Sequence, residues 1–165
     1  MITRWAKVLL LAGIALFYTL VVFNNLTDFG SNLQLVRHTL TMDTTFPGNH
    51  GMWRAIDSPA IHLAFYIGII VWEIVTAILL GWGAVRLVRL VRQPASAFNQ
   101  AKGVAVAALT LSLTMWLVAF LAVGGEWFLM WQSAAWNGQQ AAFRMFTVVG
   151  LVMLILLHPD AEGQP

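Results

Sequence analysis

SPAIHLAFYIGIIVWEIVTAILLGWGAVRLVRLVR, residues 58–92, decides the fold. Ser58 suits a helix N-cap, and Pro59 suits the first helical position, where its missing N–H has no partner to lose. The run that follows stays apolar for roughly the 20 residues that span a bilayer as a helix. It carries one acid, Glu73, in its middle, beside Trp72. His62, Tyr66 and Glu73 are spaced i, i+4 and i+11, so they share one helical face. Arg86, Arg89 and Arg92 mark where the helix leaves the membrane. Gln93-Pro94 stops it. A carboxyl at bilayer depth is costly and marks a functional position by default.

The rest of the chain fits this reading. Of its 165 residues, 59% are apolar and only 10% charged, with a mean hydropathy of +0.76. Soluble domains carry about 25% charged residues, so this is an integral membrane protein, expected to form one domain over residues 1–165. Its basic residues flank apolar runs, as membrane topology requires, and so give no sign of nucleic-acid binding. Cysteine is absent, which excludes disulfides, thiolate metal sites and cysteine nucleophiles.

Four spans are expected, over 5–23, 59–84, 103–124 and 141–157. The first begins like a signal peptide but ends in Phe23 and Asn24-Asn25, without a small-residue cleavage site, and reads as an uncleaved anchor. The loop 24–58 is long enough to pack as its own cap. A helix start is expected near Gly30-Ser31, followed by an apolar stripe of Leu33, Val36 and Leu40, and a turn at 46–49. The linker 85–102 and the loop 124–140 complete the connections, and Gly124-Gly125 is expected to end or bend the third span. Trp127 and Trp131, four residues apart, are expected on one face of a helical turn. The tail after His158-Pro159 is expected to be loose. Six basic residues (Arg4, Lys7, Arg86, Arg89, Arg92 and Lys102) fall on one side, and three (Arg37, Arg54 and Arg144) on the other. The rule that basic residues stay inside then places both termini in the cytoplasm. The expected fold is all-α: a four-helix transmembrane bundle with a helical extracytoplasmic cap from the first loop.

Three groups of residues invite functional readings. Glu73, with Tyr66 and His62, could carry a proton, pair with another subunit, or serve as a protonated structural acid bonded to Ser or Thr of the third span. His38 and His62 are weak candidates for a haem or metal, since neutral imidazole ligates both. Asp28, Arg37, His38, Asp43, Arg54, Glu126, Trp127 and Trp131 gather in the outer loops, as a salt-bridged lid or as a docking or ligand surface. No HExxH, phosphate-binding loop, dinucleotide fingerprint or nucleophile motif occurs, so no enzyme class is indicated.

VVFNNLTDFGSNLQLVRHTLTMDTTFPGN, then WRAI, then GGEWFLMWQSAAWNGQ, together with the four-span layout, resemble a bacterial family of predicted small integral membrane proteins of unknown function. The resemblance covers nearly the whole chain. It implies a bacterial inner-membrane location and supplies no reaction, substrate or cofactor. The family motif falls on Asn24, Asn25, Asp28, Asn32, Arg37, His38, Met42, Asp43, Trp53 and Arg54, and on Glu73, Glu126, Trp127, Trp131, Gln132 and Trp136. The function expected first is that of a non-enzymatic accessory or assembly subunit among other membrane-protein subunits in the lipid bilayer. The alternatives are a haem-, metal- or quinone-binding bundle, and a proton or small-solute carrier using Glu73.

Overall fold

The computed structural model describes residues 1–161. Four long apolar helical rods run through it: Ile2–Thr27, Pro59–Leu90, Ala95–Trp127 and Gln139–Leu157. The first is α1, the second α3 and the fourth α6. The third rod is composite. A short α4 (Ala95–Ala101) leads into α5 (Gly103–Thr114), which widens into a π-helical stretch, Met115–Trp127. Between α1 and α3 lies α2 (Phe29–Thr41). No strand occurs among the described residues.

The rods are held together by stripes that repeat every seven residues. Arg4, Leu11, Tyr18 and Asn25 are buried on α1, and Tyr66, Glu73, Leu80 and Leu87 on α3. Phe98, Ala105 and Ser112 form the stripe of the third rod, and Ala142, Val149 and Leu156 that of α6. A seven-residue repeat keeps one seam of each helix facing its neighbours and gives a left-handed bundle. Helix α1 packs on α3, α3 on α5, and the third rod on α6, which closes back onto α1. Small residues bring backbones close where lipid supplies no hydrophobic drive. A Cβ on Gly83 would lie 3.0 Å from the Ala105 Cα, so α3 and α5 touch there.

Chain ends and caps differ from the sequence expectations in four places. Helix α1 continues to Thr27, past the expected end at Phe23. Asn24 and Asn25 therefore belong to the helix, and Asn25 faces the core. The third rod runs through Gly124-Gly125 instead of ending there. Both glycines are buried; a side chain on Gly124 would press the Ala119 carbonyl and one on Gly125 the Gln139 side chain. They fill a close approach, which overrides their helix-breaking tendency. The rod stops only beyond Trp127, where Leu129 takes a left-handed conformation (φ 53°). That reversal separates Trp127 from Trp131. Trp127 meets Trp53 edge-on at 5.7 Å, and Trp131 meets Phe46 at 5.8 Å.

The fourth difference is the tail. Residues up to Asp160 are docked rather than loose, and those from 162 onward lie outside the described residues. The Asp160 side chain is only 4% exposed and receives Lys7 Nζ and Lys102 Nζ, each at 2.7 Å. Asn99 clasps its backbone from both sides, donating Nδ2 to the Asp160 carbonyl at 2.9 Å and accepting the Asp160 N–H at 3.1 Å. Arg4 lies 4.0 Å from the same carboxylate and donates to the carbonyls of Val91 and Gln93 at 3.2 and 2.6 Å. One aspartate thus ties α1, α4, the start of α5 and the end of α6 together, and Arg4 adds the end of α3. Both ends of the described chain meet here, at what we call the terminal end; the opposite end is the loop end.

Candidate functional site

A second buried polar group, apart from the Asp160 cluster, lies toward the loop end. Glu73 lies 14 residues into α3, about 21 Å along it at helical rise, and is 3% exposed. Its partner is Asn25 of α1, whose Nδ2 donates to Glu73 Oε2 at 2.6 Å. Asn32, on α2, donates to Asn25 Oδ1 at 2.6 Å. Tyr66, one seven-residue step up α3 from Glu73, reaches the backbone and side-chain oxygens of Asn25 at 3.3 Å each. Three helices thus contribute to one chain: Asn32 to Asn25 to Glu73, with Tyr66 braced against it.

The serines and threonines of the third span, one of the partners the sequence offered Glu73, are otherwise engaged. Ser112 shares a 2.6 Å hydrogen bond with Tyr18. Thr110 and Thr114 each bond a carbonyl one turn back in their own helix. Hydroxyls in an apolar medium satisfy themselves locally in this way. Asn25 wins because α1 is longer than its apolar run suggests.

Beside this chain lies a cavity of about 500 Å³ between α1, α2, α3 and the π-helical stretch. Asn25, Asn32, Tyr66 and Glu73 make its polar edge. The remainder of the wall is dominated by apolar side chains such as Val36, Leu40, Phe120, Val123 and Phe128. At its rim, Phe65 and Val118 are each 45% exposed on the outside of the bundle, so the cavity opens sideways between α3 and the third rod. The π-helical stretch forms one wall; such widened turns recur at functional sites. Trp116 also lines the cavity. Its indole N–H is buried without a well-formed hydrogen bond, with the Tyr18 hydroxyl as a weak polar neighbour.

Of the other sequence candidates, His62 is buried one turn before Tyr66 and uses Nε2 on the Ile56 carbonyl at 2.7 Å. His38 pairs with Asp43 at 2.8 Å and stacks on Trp136 at 4.5 Å. The two histidines therefore serve different partners, and no group of three metal-ligating side chains gathers among the described residues. Arg54 donates to the Gly51 carbonyl and lies over the rings of Trp53 and Trp127. Asp28 accepts from Ser31 at 2.9 Å, while Arg37 and Glu126 are exposed. His38–Asp43 is the one ion pair at the loop end among the described residues. The cap is held by aromatic and cation–π contacts rather than by the arginine–carboxylate pairs expected of a salt-bridged lid.

Asn25 and Asn32 were visible in the sequence as polar residues near a span end, but not as partners of Glu73. The signal was there: Asn25 continues the buried series 4, 11, 18, 25 at seven-residue spacing. The terminal-end group of Arg4, Lys7, Lys102 and Asp160 left only a faint trace, since its members lie far apart in sequence.

Four long apolar helices around a mostly apolar interior define a multi-pass integral membrane protein in contact with the lipid bilayer. Residues 3–159 match the profile of a family described as predicted small integral membrane protein (DUF2165), and the chain belongs to that family. No curated protein and no solved structure is recognisably similar to it.

Proposed function

We propose that this protein is a non-enzymatic binding module of the membrane, which takes an amphipathic, membrane-resident molecule into the loop-end cavity. One observation carries the reading: the buried Asn25, Glu73 and Tyr66, joined to the exposed Asn32 by a hydrogen bond, border a cavity whose other walls are largely apolar. Mostly apolar pockets with a few convergent polar groups are the usual form of small-molecule sites. The occupant would place a hydrogen-bonding head at Glu73 and Asn25 and its apolar body along α2 and the π-helical stretch. The sideways opening suits delivery from the bilayer. Among the cofactors considered, a quinone matches this chemistry better than haem or a metal ion, because His38 and His62 are engaged separately.

An accessory-subunit role is compatible with this reading: such a module would hold its ligand for a larger complex of the inner membrane. In its favour, Trp53, Trp127 and Trp131 remain 76%, 49% and 45% exposed on the cap. We further infer one membrane domain over 1–165, with both termini cytoplasmic and α2 in the extracytoplasmic cap, from the distribution of Lys and Arg. Carriage of protons past Glu73 has less support. Between the Tyr18–Ser112 pair and the terminal end, the core closes with Leu11, Leu80, Leu87, Ala105 and Leu109, all fully buried.

The test is ligand-dependent thermal stabilisation in micelles. A short-chain quinone and a single-chain amphiphile are offered to wild type, to Ala119→Phe, which fills the cavity, and to Glu73→Gln. Stabilisation of wild type that Ala119→Phe abolishes supports the reading. Equal shifts in both overturn it.

A further inference from the structure

The terminal end carries more buried positive charge than the described residues balance. Arg4, Lys7 and Lys102 are 7%, 5% and 6% exposed and surround one carboxylate, Asp160. Three cations against one anion leave two positive charges. Carbonyls at two helix ends meet part of this. Arg4 uses Val91 O and Gln93 O beyond α3, and Lys7 and Lys102 both use His158 O beyond α6, at 2.6 and 2.9 Å. A helix C-terminus carries roughly half a negative charge. Two of them bring the surplus down to about one positive charge, in a place where unpaired charge is expensive.

A cavity of about 1030 Å³ opens beside this group. Arg4, Lys7 and Arg92 line it together with Asp160, whose carboxylate already pairs with Lys7, and Arg92 is exposed and outside the Asp160 cluster. Its lining also includes Leu154 and Ile155 of α6, which are 67% and 44% exposed on the outside of the bundle. Basic residues at a span end next to an apolar groove offer an anionic headgroup and its chain what each requires. We propose that this cavity is an anionic-lipid site: the phosphate of the headgroup sits against Arg4, Lys7 and Arg92, and an acyl chain follows Leu154 and Ile155. The site is independent of the loop-end cavity.

Native mass spectrometry and thermal unfolding of the full chain in micelles test it, with phosphatidylglycerol, phosphatidylcholine and inorganic phosphate as separate probes. Arg92→Gln is the site variant, since Arg92 contributes nothing to the Asp160 cluster. Arg86→Gln is the control: its guanidinium lies over Trp82 at 6.0 Å, on α3 just before Arg92 but outside the cavity. The expected result is a bound phosphatidylglycerol and a matching stabilisation that phosphatidylcholine does not give. Arg92→Gln weakens that binding about five-fold, as expected for the roughly 1 kcal/mol that one basic residue contributes near an anionic surface, and Arg86→Gln leaves it unchanged. If inorganic phosphate stabilises as well as the lipid does, an anion site stands but the lipid assignment is overturned. Equal losses in the two variants would reduce the effect to general surface attraction and overturn the site. Equal binding of both lipids would overturn it as well.

Discussion

Replacing Asp160 by Asn removes one charge and almost nothing else. The side chain keeps its size, and the Asn99 clasp on the Asp160 backbone does not involve the carboxylate. The hydrogen bonds from Lys7 and Lys102, both to Oδ2 at 2.7 Å, lose their anionic acceptor. Each is worth about 1.5–3 kcal/mol when buried. Three cations remain, now without their anion, and breaking a buried pair from one side costs about 3–5 kcal/mol. The adjoining cavity lets water relax part of that cost, so we expect a loss of about 2–4 kcal/mol. SDS-titration unfolding in mixed micelles reads it directly. The pH dependence is a second check. Burial pushes the Asp160 carboxyl up, but Lys102 and Lys7 outweigh it and hold it below the usual carboxylate range. A lowered folded pKa means that the stabilisation is complete above the unfolded value of about 3.9 and is lost as pH falls through the folded value. Wild type and Asp160→Asn should therefore differ fully at pH 7, begin to converge near about pH 4 and become equal only below the folded value. A difference under about 0.5 kcal/mol at pH 7, typical of an exposed ion pair, or one that persists unchanged in acid, would refute the latch.

Other substitutions probe the seams and the site. Asn25→Ala leaves Glu73 without its donor and should destabilise by about 1–3 kcal/mol, read by the same titration. Asn25→Asp, which swaps the donor for a second carboxyl, should be worse than alanine. Gly83→Val presses on the Ala105 backbone and should cost about 1–3 kcal/mol by overpacking. Gly81→Ala, where a Cβ meets nothing within 4 Å, should be neutral or stabilise by up to about 1 kcal/mol. Tyr18→Phe strands the Ser112 hydroxyl and should cost about 1 kcal/mol.

How much of this was legible in the sequence differs between the spans and the site. The four rods followed from apolar run length and breaker residues, and α3 from its Ser-Pro start and Gln-Pro stop. The shared face of His62, Tyr66 and Glu73 came from helical spacing alone. Spacing within one helix cannot name partners on another. Glu73 pairs with Asn25 because α1 runs four residues past the end of its apolar run at Phe23, and polarity alone does not end a helix that packs on its neighbours. Gly124-Gly125 misled for the opposite reason: glycine's helix-breaking tendency is weak beside a backbone contact that only glycine permits. The Asp160 latch joins residues 4, 7, 99, 102 and 160, which lie on separate parts of the sequence. A single acid in a polar tail gives no pattern to find. The loop-end cavity is a property of how α2 and the π-helical stretch stand apart, and no residue pattern encodes it.

The central claim is that the loop-end cavity holds a membrane-resident amphiphile against Glu73 and Asn25. Native mass spectrometry of the protein, extracted gently from its own membranes, tests it most directly. Wild type and Arg92→Gln should both carry a non-protein adduct of quinone or lipid mass that Ala119→Phe lacks while still folded. Loss of that adduct in Arg92→Gln would move it to the terminal end. A folded wild-type protein with no adduct beyond the terminal-end lipid, or an Ala119→Phe protein that carries the same set of adducts as wild type, would contradict the account.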